Sequence, residues 1–374
     1  MKILIITSGY FPGRKYGGPP VSVDNFCSLM SGVAECYIVT HNHDMGESTP
    51  YSNIIDGWSW NDRGNSHVLY LSDKDYNAVS FERVVRDVLP DYIYLQSLFQ
   101  SCVISCLALA KKYRIQVVLA PRGELCAGAF KKKLKKIPYI YFLRTAGLLS
   151  GVSYQSTSIE ETNAIRKYLN ASSGSIHYLT NIPSVPQRLR ARETKQEGVG
   201  RFIFVSRILW KKNLLSAIIF LRAIKGSVRF DIYGPKEDMD YWGECESEIK
   251  ALPDNVSVEY KGILSHDDIH AAFSKYDAFL FPTLSENFGH VIAEALASGC
   301  IPIISDQTPW SDINEYGAGW AISLADINLF KNAIQEVVDM DEATISLMRE
   351  KIGVYLKDKF NLDQLKANYM SVFK

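Results

Sequence analysis

Arg207 and Lys212 stand five residues apart, just past a short β-branched and aromatic run. A second polar block, Ser285-Glu286-Asn287-Phe288-Gly289-His290, follows another such run. Both blocks fall where a strand passes into a helix. Arginine as a planar fork and lysine as a point charge could neutralise a diphosphate there, or both could be ordinary solvated charges. In the second block Pro282 stops the strand and a helix begins near Gly289. The amides of Phe288, Gly289 and His290 would then lack intrahelical acceptors, which makes a site for phosphate oxygens. Gly289 also permits close approach of a ligand to the backbone. Glu286 lies in the turn, and Glu294 about a turn and a half into the helix. Each could serve a ligand or simply complement the positive helix end.

Chemistry at such corners requires strands whose carboxyl ends converge. Short apolar runs alternate with helical patterns along the chain, the signature of βαβ units. The pattern predicts strands over 3–7, 36–40, 92–96 and 116–120, with a weaker one over 151–155, and helices near 21–30, 81–89 and 102–112. Thr157 and Ser158, followed by Glu160 and Glu161, start another helix. The second half predicts strands over 202–206, 229–233, 256–260, 278–281 and 301–305. Helices follow near 213–224, 240–251, 266–275 and 290–298, with Ser265 and Asp268 as a capping box for the third. Helical segments over 326–340 and 342–373 close the chain. The fold class is α/β: two doubly wound, Rossmann-like domains facing across a cleft. The expected division is 1–183, a linker over 184–200, a second domain over 201–355, and a C-terminal helix over 356–374 that packs back on the first domain. Ligands of such sheets bind beyond the carboxyl ends of the strands. There, in the loop after the first strand, Gly17-Gly18 could bring backbone against the same diphosphate from the other domain, although paired glycines often mark a mere turn.

The bulk properties narrow the choices. The chain has 374 residues, 47% of them apolar, enough for two cores and too many for a disordered chain. Lys+Arg and Asp+Glu balance at 41 each, a poor footprint for a general nucleic-acid binder. Seven scattered cysteines without a C-x-x-C pair fit a reducing cytoplasm. The opening has only four consecutive apolar residues, against roughly 7–15 in a secretory signal, and no stretch approaches the roughly 18 of a membrane span. A cytoplasmic protein is expected. Phosphate-loop, nucleophile-elbow and dinucleotide glycine patterns are absent. Asp238-Met239-Asp240 and Asp339-Met340-Asp341 read as helix-capping turns rather than metal sites. His41-Asn42-His43 offers two imidazoles with no third ligand in view. No metal or cofactor is expected.

Arg207 with Lys212, and Ser285-Glu286-Asn287-Phe288-Gly289-His290 with Glu294 completing E-x7-E, resemble the retaining nucleotide-sugar glycosyltransferases of family 4, which have the GT-B fold. The Gly17-Gly18 loop, Gly234 after Tyr233, Ala297-Ser298-Gly299 and Ser305-Asp306-Gln307-Thr308-Pro309-Trp310 extend the likeness over nearly the whole chain. Gly234-Pro235-x-Glu237-Asp238-x-x-Tyr241-Trp242 and Pro121-Arg122-Gly123 look like the branch that builds bacterial surface polysaccharides such as O-antigen, capsule or exopolysaccharide. The resemblance implies that Arg207 and Lys212 grip the donor diphosphate and that Glu286 contacts the sugar beside its anomeric centre. It gives Glu294 the ribose hydroxyls, the amides near Asn287, Phe288, Gly289 and His290 the phosphates, and Gly262 and Ile263 the base. A nucleoside diphosphate would leave and an acceptor hydroxyl attack from the same face. Many relatives carry histidine where Arg122 stands. Arg122 is left either to contact the donor or to pair with a carboxylate. The competing functions are a sugar-nucleotide epimerase on the same scaffold and a non-catalytic sugar-nucleotide sensor.

One further segment stands out. Lys131, Lys132, Lys133, Lys135 and Lys136 place five lysines in six residues of a chain with no net charge, and Tyr139, Tyr141 and Phe142 follow. Such runs are usually solvated faces. Basic residues beside aromatics also suit an anionic bilayer. The expected partners are therefore a nucleoside-diphosphate sugar, a saccharide or lipid-linked saccharide acceptor, and the inner face of the plasma membrane, with no nucleic acid.

Overall fold

Ile3, Leu4, Ile5 and Ile6 are all fully buried, and so are Ala278, Phe279, Leu280 and Phe281. Unbroken burial of this kind belongs to parallel strands covered by helices on both faces. The computed structural model describes residues 1–126, 130, 133–184 and 192–374, and the side chains of all but residues 133–135 among them. The chain forms two units, one comprising Met1–Ile182 with Leu362–Lys374, the other Pro183–Asn361.

In the first unit β1 (Lys2–Ile6) is followed by α1 (Gly18–Leu29), β2 (Glu35–His41), β3 (Trp60–Arg63), β4 (Ser66–Leu71), α2 (Ala78–Val88), β5 (Tyr92–Leu95) and α3 (Val103–Tyr113). Then come β6 (Gln116–Leu119), α4 (Lys133–Thr145), β7 (Val152–Ser156), α5 (Ile159–Leu169) and β8 (Ile176–Tyr178). The sheet order is β3-β4-β2-β1-β5-β6-β7-β8, parallel except for β3 against β4. Strand β3 reads Trp-Asn-Asp-Arg, a short polar edge that ends the sheet. Ser158 caps α5 by accepting from the Glu161 amide, as its sequence predicts.

The second unit runs β9 (Val199–Val205), α6 (Leu214–Leu221), β10 (Ser227–Tyr233), α7 (Met239–Lys250), β11 (Val256–Tyr260), α8 (Ile269–Phe273) and β12 (Ala278–Phe281). It continues with α9 (His290–Ala297), β13 (Ile301–Ser305), α10 (Ile313–Tyr316), β14 (Trp320–Ile322), α11 (Ile327–Asp339) and α12 (Glu342–Lys359). Its sheet, β11-β10-β9-β12-β13-β14, is wholly parallel. Asp238 and Asp341 cap α7 and α12, each accepting a backbone amide. Ser265 does not complete its box: its hydroxyl donates to Asp268 at 2.7 Å, and the turn is 3-10 before α8.

The expected boundaries shift. Part of the span read as a linker belongs to the second unit. Ser184 bonds His270 at 2.8 Å, and Arg192 donates to the Gly299 carbonyl at 2.7 Å. Lys195 is buried, donating to the carbonyls of Gln196, Val199 and Val338. A buried ammonium survives because three carbonyls replace its water. The closing helical segment, expected unbroken to 373, is interrupted at Phe360, whose ring packs on Trp310 with centroids 5.7 Å apart. The last helix, α13 (Leu362–Val372), lies in the first unit. Tyr369 and Phe373 there pack on Phe26 at 5.8 and 5.3 Å.

Candidate functional site

The winding of the second sheet decides where its loops can meet. From β9 the chain builds outward to β10 and β11, then crosses to β12 and builds the other way. The loops after β9 and β12 therefore diverge from adjacent carboxyl ends, which is where open α/β sheets hold ligands. Three hydrogen bonds tie those loops together. The Leu284 amide and the Thr283 hydroxyl donate to the Lys211 carbonyl at 2.9 and 3.3 Å, and Asn213 donates to the Pro282 carbonyl at 2.9 Å.

This tie brings Lys212 and Glu286 into a direct ion pair, with side chains only 12% and 15% exposed. The ammonium also stands 5.6 Å from the centre of the Phe281 ring. Arg207 is placed differently. It pairs with Glu237 at 3.2 Å and is 42% exposed. The two residues were expected to act alike, and only Lys212 is held in a water-poor corner.

Gly289 caps α9 with φ +78, a left-handed conformation that would strain any other residue. A Cβ there would also come within 2.9 Å of Ile292. The Trp310 indole donates to the Phe288 carbonyl, turning that peptide so that its oxygen faces the core. Four residues into α9, Glu294 is 2% exposed, and its Oε1 has no hydrogen-bond partner among the described residues. His266 Nδ1 lies 3.6 Å from that oxygen. Burial pushes the Glu294 carboxyl up to about 8. A buried carboxyl raised in this way, beside a loop at the strand ends, is a candidate functional group.

The remaining loops end at the same side of the sheet. Gly234, at φ +141, packs so tightly that a Cβ would lie 1.8 Å from the Ser206 carbonyl oxygen. Its amide donates to the Gly262 carbonyl at 2.9 Å, and Ile263 beside it is exposed.

Glu294 supplies a prediction. Because its folded value lies above the ordinary 4.5, stability is complete below that value. It falls as pH rises, since the unfolded chain gives up its proton before the fold does. The cost over the window from about 4.5 to 8 is on the order of several kcal/mol. Glu294→Gln removes it, so the variant's melting temperature should gain on that of the natural chain as pH climbs from 5 to 8. A difference independent of pH would show that this carboxyl is not raised.

In the first unit Gly17 caps α1 at φ +70 and is exposed, with Gly18 the first residue of the helix. Arg122, itself at φ +55, follows β6. Among the described residues it pairs with no carboxylate: it donates to Gln96 at 2.9 Å and to Asn181 at 2.6 Å. Of the lysine run, Lys131 and Lys132 lie outside the described residues, and Lys133 and Lys135 fall at the start of α4. Two expected surface residues turn inward. Lys136 lies over the Phe99 ring at 4.4 Å and donates to the Glu124 carbonyl at 3.3 Å, and Tyr139 donates to the Leu98 carbonyl at 3.0 Å. Tyr141 and Phe142 stay exposed. No helix among the described residues is long and apolar enough to cross a membrane.

Sequence reasoning missed the pairing of Glu237 with Arg207 and of His266 with Glu294. Neither partner sits at a telling spacing; only the fold brings them together.

Residues 186–355, which contain every second-unit residue named at this site, match the family Glycosyl transferases group 1. Over 150 residues the chain is 25% identical to the UDP-N-acetylglucosamine–peptide N-acetylglucosaminyltransferase GtfA subunit of Streptococcus agalactiae. That match covers 39% of this chain and 28% of the relative, so the chain spans little more than a quarter of that protein. Among solved structures, HepE of Anabaena in complex with UDP and glucose superposes with a TM-score of 0.68 at 14% identity, covering 100% of this chain and 99% of that one. WaaG, a glycosyltransferase involved in lipopolysaccharide biosynthesis, gives 0.63 at 11% identity over 98% of both chains. At such identities the likeness is one of fold. The two Rossmann-like units have the GT-B architecture.

Proposed function

We propose that the protein is a retaining, metal-independent glycosyltransferase of the family 4 kind. It moves a hexosyl group from a nucleoside-diphosphate sugar to a hydroxyl of a saccharide acceptor, carried on lipid, in surface polysaccharide assembly. The observation that carries this reading is the Lys212–Glu286 pair at the switch point of the second sheet. The uridine nucleotides named with GtfA and HepE make UDP-sugars the first donors to try.

The chain's own groups suit each step. An arriving diphosphate draws Lys212 from Glu286, and the amides of Gly289 and its neighbours add donors to the phosphate oxygens. Glu286 is then free to face the sugar. As the bond from the anomeric carbon to the phosphate oxygen breaks, negative charge grows on the diphosphate beside Lys212, and positive charge grows on the sugar beside Glu286. The acceptor oxygen bonds to the anomeric carbon on the same face, and its proton passes to the leaving phosphate oxygen. Glu294, held protonated by burial, keeps both a donor and an acceptor for the ribose hydroxyls.

The test is release of UDP from a panel of UDP-sugars with and without saccharide acceptors. Release that requires acceptor, yields the retained anomer and persists in EDTA supports the reading. An altered nucleotide sugar without acceptor would make the protein an epimerase instead. Binding without turnover of any donor would make it a sensor.

The exposed Tyr141 and Phe142 beside the lysine run support peripheral docking on an anionic bilayer. Co-sedimentation with anionic vesicles should fade at high salt and drop when Lys131, Lys132, Lys133 and Lys135 become glutamine. Equal partition to neutral vesicles would leave only a solvated face.

A further inference from the structure

His41 ends β2, His43 follows it, and Asp73 lies just past the end of β4, the neighbouring strand. Their side chains converge. His41 Nδ1 is 3.0 Å and His43 Nε2 2.9 Å from the same oxygen, Asp73 Oδ1, and all three atoms lie within 4.8 Å of one another.

Two contacts in this cluster call for positive charge. His43 Nδ1 lies 3.0 Å from the Asp44 carbonyl, an acceptor that fixes its proton there. A neutral ring then turns the bare Nε2 toward a carboxylate oxygen, a contact that requires something positive between them. His41 Nδ1 is buried and, although close to the same oxygen, lacks the alignment of a hydrogen bond. A single proton could answer one of these nitrogens. A cation could answer both.

From this geometry we propose that His41 Nδ1, His43 Nε2 and Asp73 Oδ1 form a binding site for a divalent transition metal of the zinc class, with a fourth position open to water or another oxygen ligand. Tetrahedral zinc with bonds near 2 Å sets its ligand atoms about 3.3 Å apart. The two contacts to Asp73 need open by only a few tenths of an ångström, and the two nitrogens, within 4.8 Å of each other, must settle at the same spacing. Borderline imidazole nitrogens with one carboxylate suit zinc better than calcium or magnesium, which prefer oxygen throughout. Both rings are already oriented. His41 stacks on Tyr76 with centroids 3.9 Å apart, and His43 is held by the Asp44 carbonyl, the outer-shell contact expected of a metal-binding histidine. Asp73 is 69% exposed, which leaves the fourth position facing solvent.

The site is tied to the loop that carries Gly17. The Asp44 carboxylate accepts from the amides of Arg14, Lys15 and Met45 at 2.8, 3.1 and 2.8 Å. Metal at His43 therefore fixes the residue that anchors residues 14 and 15. The donor chemistry proposed for the second unit uses none of these groups.

Cobalt titration of the full chain tests the site. One equivalent of Co2+ should give the intense visible bands of four-coordinate cobalt, and Zn2+ should displace it. Asp73→Asn, at an exposed position that should not disturb folding, and His43→Gln should each weaken binding by a hundredfold or more. Zn2+ should also raise the melting temperature of the natural chain but not of Asp73→Asn. Absence of the bands, or equal binding by the natural chain and both variants, would overturn the site and leave a histidine–carboxylate ion pair.

Discussion

Glu286→Gln should cut sugar transfer by roughly a hundredfold or more while UDP binds no more weakly than to the natural chain. The two halves of this result have separate causes. Transfer falls because the amide carries no charge to oppose the positive charge growing at the anomeric carbon. UDP affinity holds, or tightens, because in the free protein Glu286 occupies Lys212, the cation that the diphosphate needs. A diphosphate no longer has to displace a carboxylate. Kinetics with the best UDP-sugar and calorimetry with UDP give both numbers. Full activity in the variant would remove Glu286 from the centre, and a matching loss of UDP affinity would make it a nucleotide ligand instead.

Lys212→Ala should lower kcat/KM by roughly 30-fold to 1,000-fold, the equivalent of about 2–4 kcal/mol for one charge-assisted contact in a poorly solvated site. UDP binding should weaken with it, since the same ammonium meets the phosphates in both states. Arg207→Ala should cost distinctly less. Its guanidinium is 42% exposed and already shared with Glu237, so water screens it and little is desolvated. Melting curves guard the comparison, because removing Lys212 leaves Glu286 without its counter-charge. Equal losses from both variants would mean that the two cations share the diphosphate after all, and no loss from either would return both to the surface.

The strands that hold these residues were readable because a covered parallel strand has no polar face to blur it. The runs over 256–260, 278–281 and 301–305 match β11, β12 and β13 residue for residue. Strand β4 escaped although Val68, Leu69, Tyr70 and Leu71 are all buried, because the turn-rich stretch before it hides where a strand could begin. Strands β8 and β14, three residues each, are too short to show a period. At the site, spacing along the chain marked Lys212, Glu286 and Gly289 in the loops that leave strand ends, and Glu294 in the helix that follows. It could not mark what depends on neighbours: that Arg207 would pair with Glu237, that Lys136 would fold over Phe99, or that Asp73 would join two histidines some thirty residues earlier.

The return of α13 to the first unit bears on the order of events during synthesis. Domains usually fold as they leave the ribosome, the earliest first. Here Leu365, Tyr369, Val372 and Phe373 belong to the same core as Ile3, Phe26 and Tyr94, yet they are made after the whole of the second unit. The opening 182 residues must therefore wait, with part of that core uncovered, while the later unit is translated and free to fold. A slow codon anywhere between the end of the first 182 residues and α13 would lengthen that exposure.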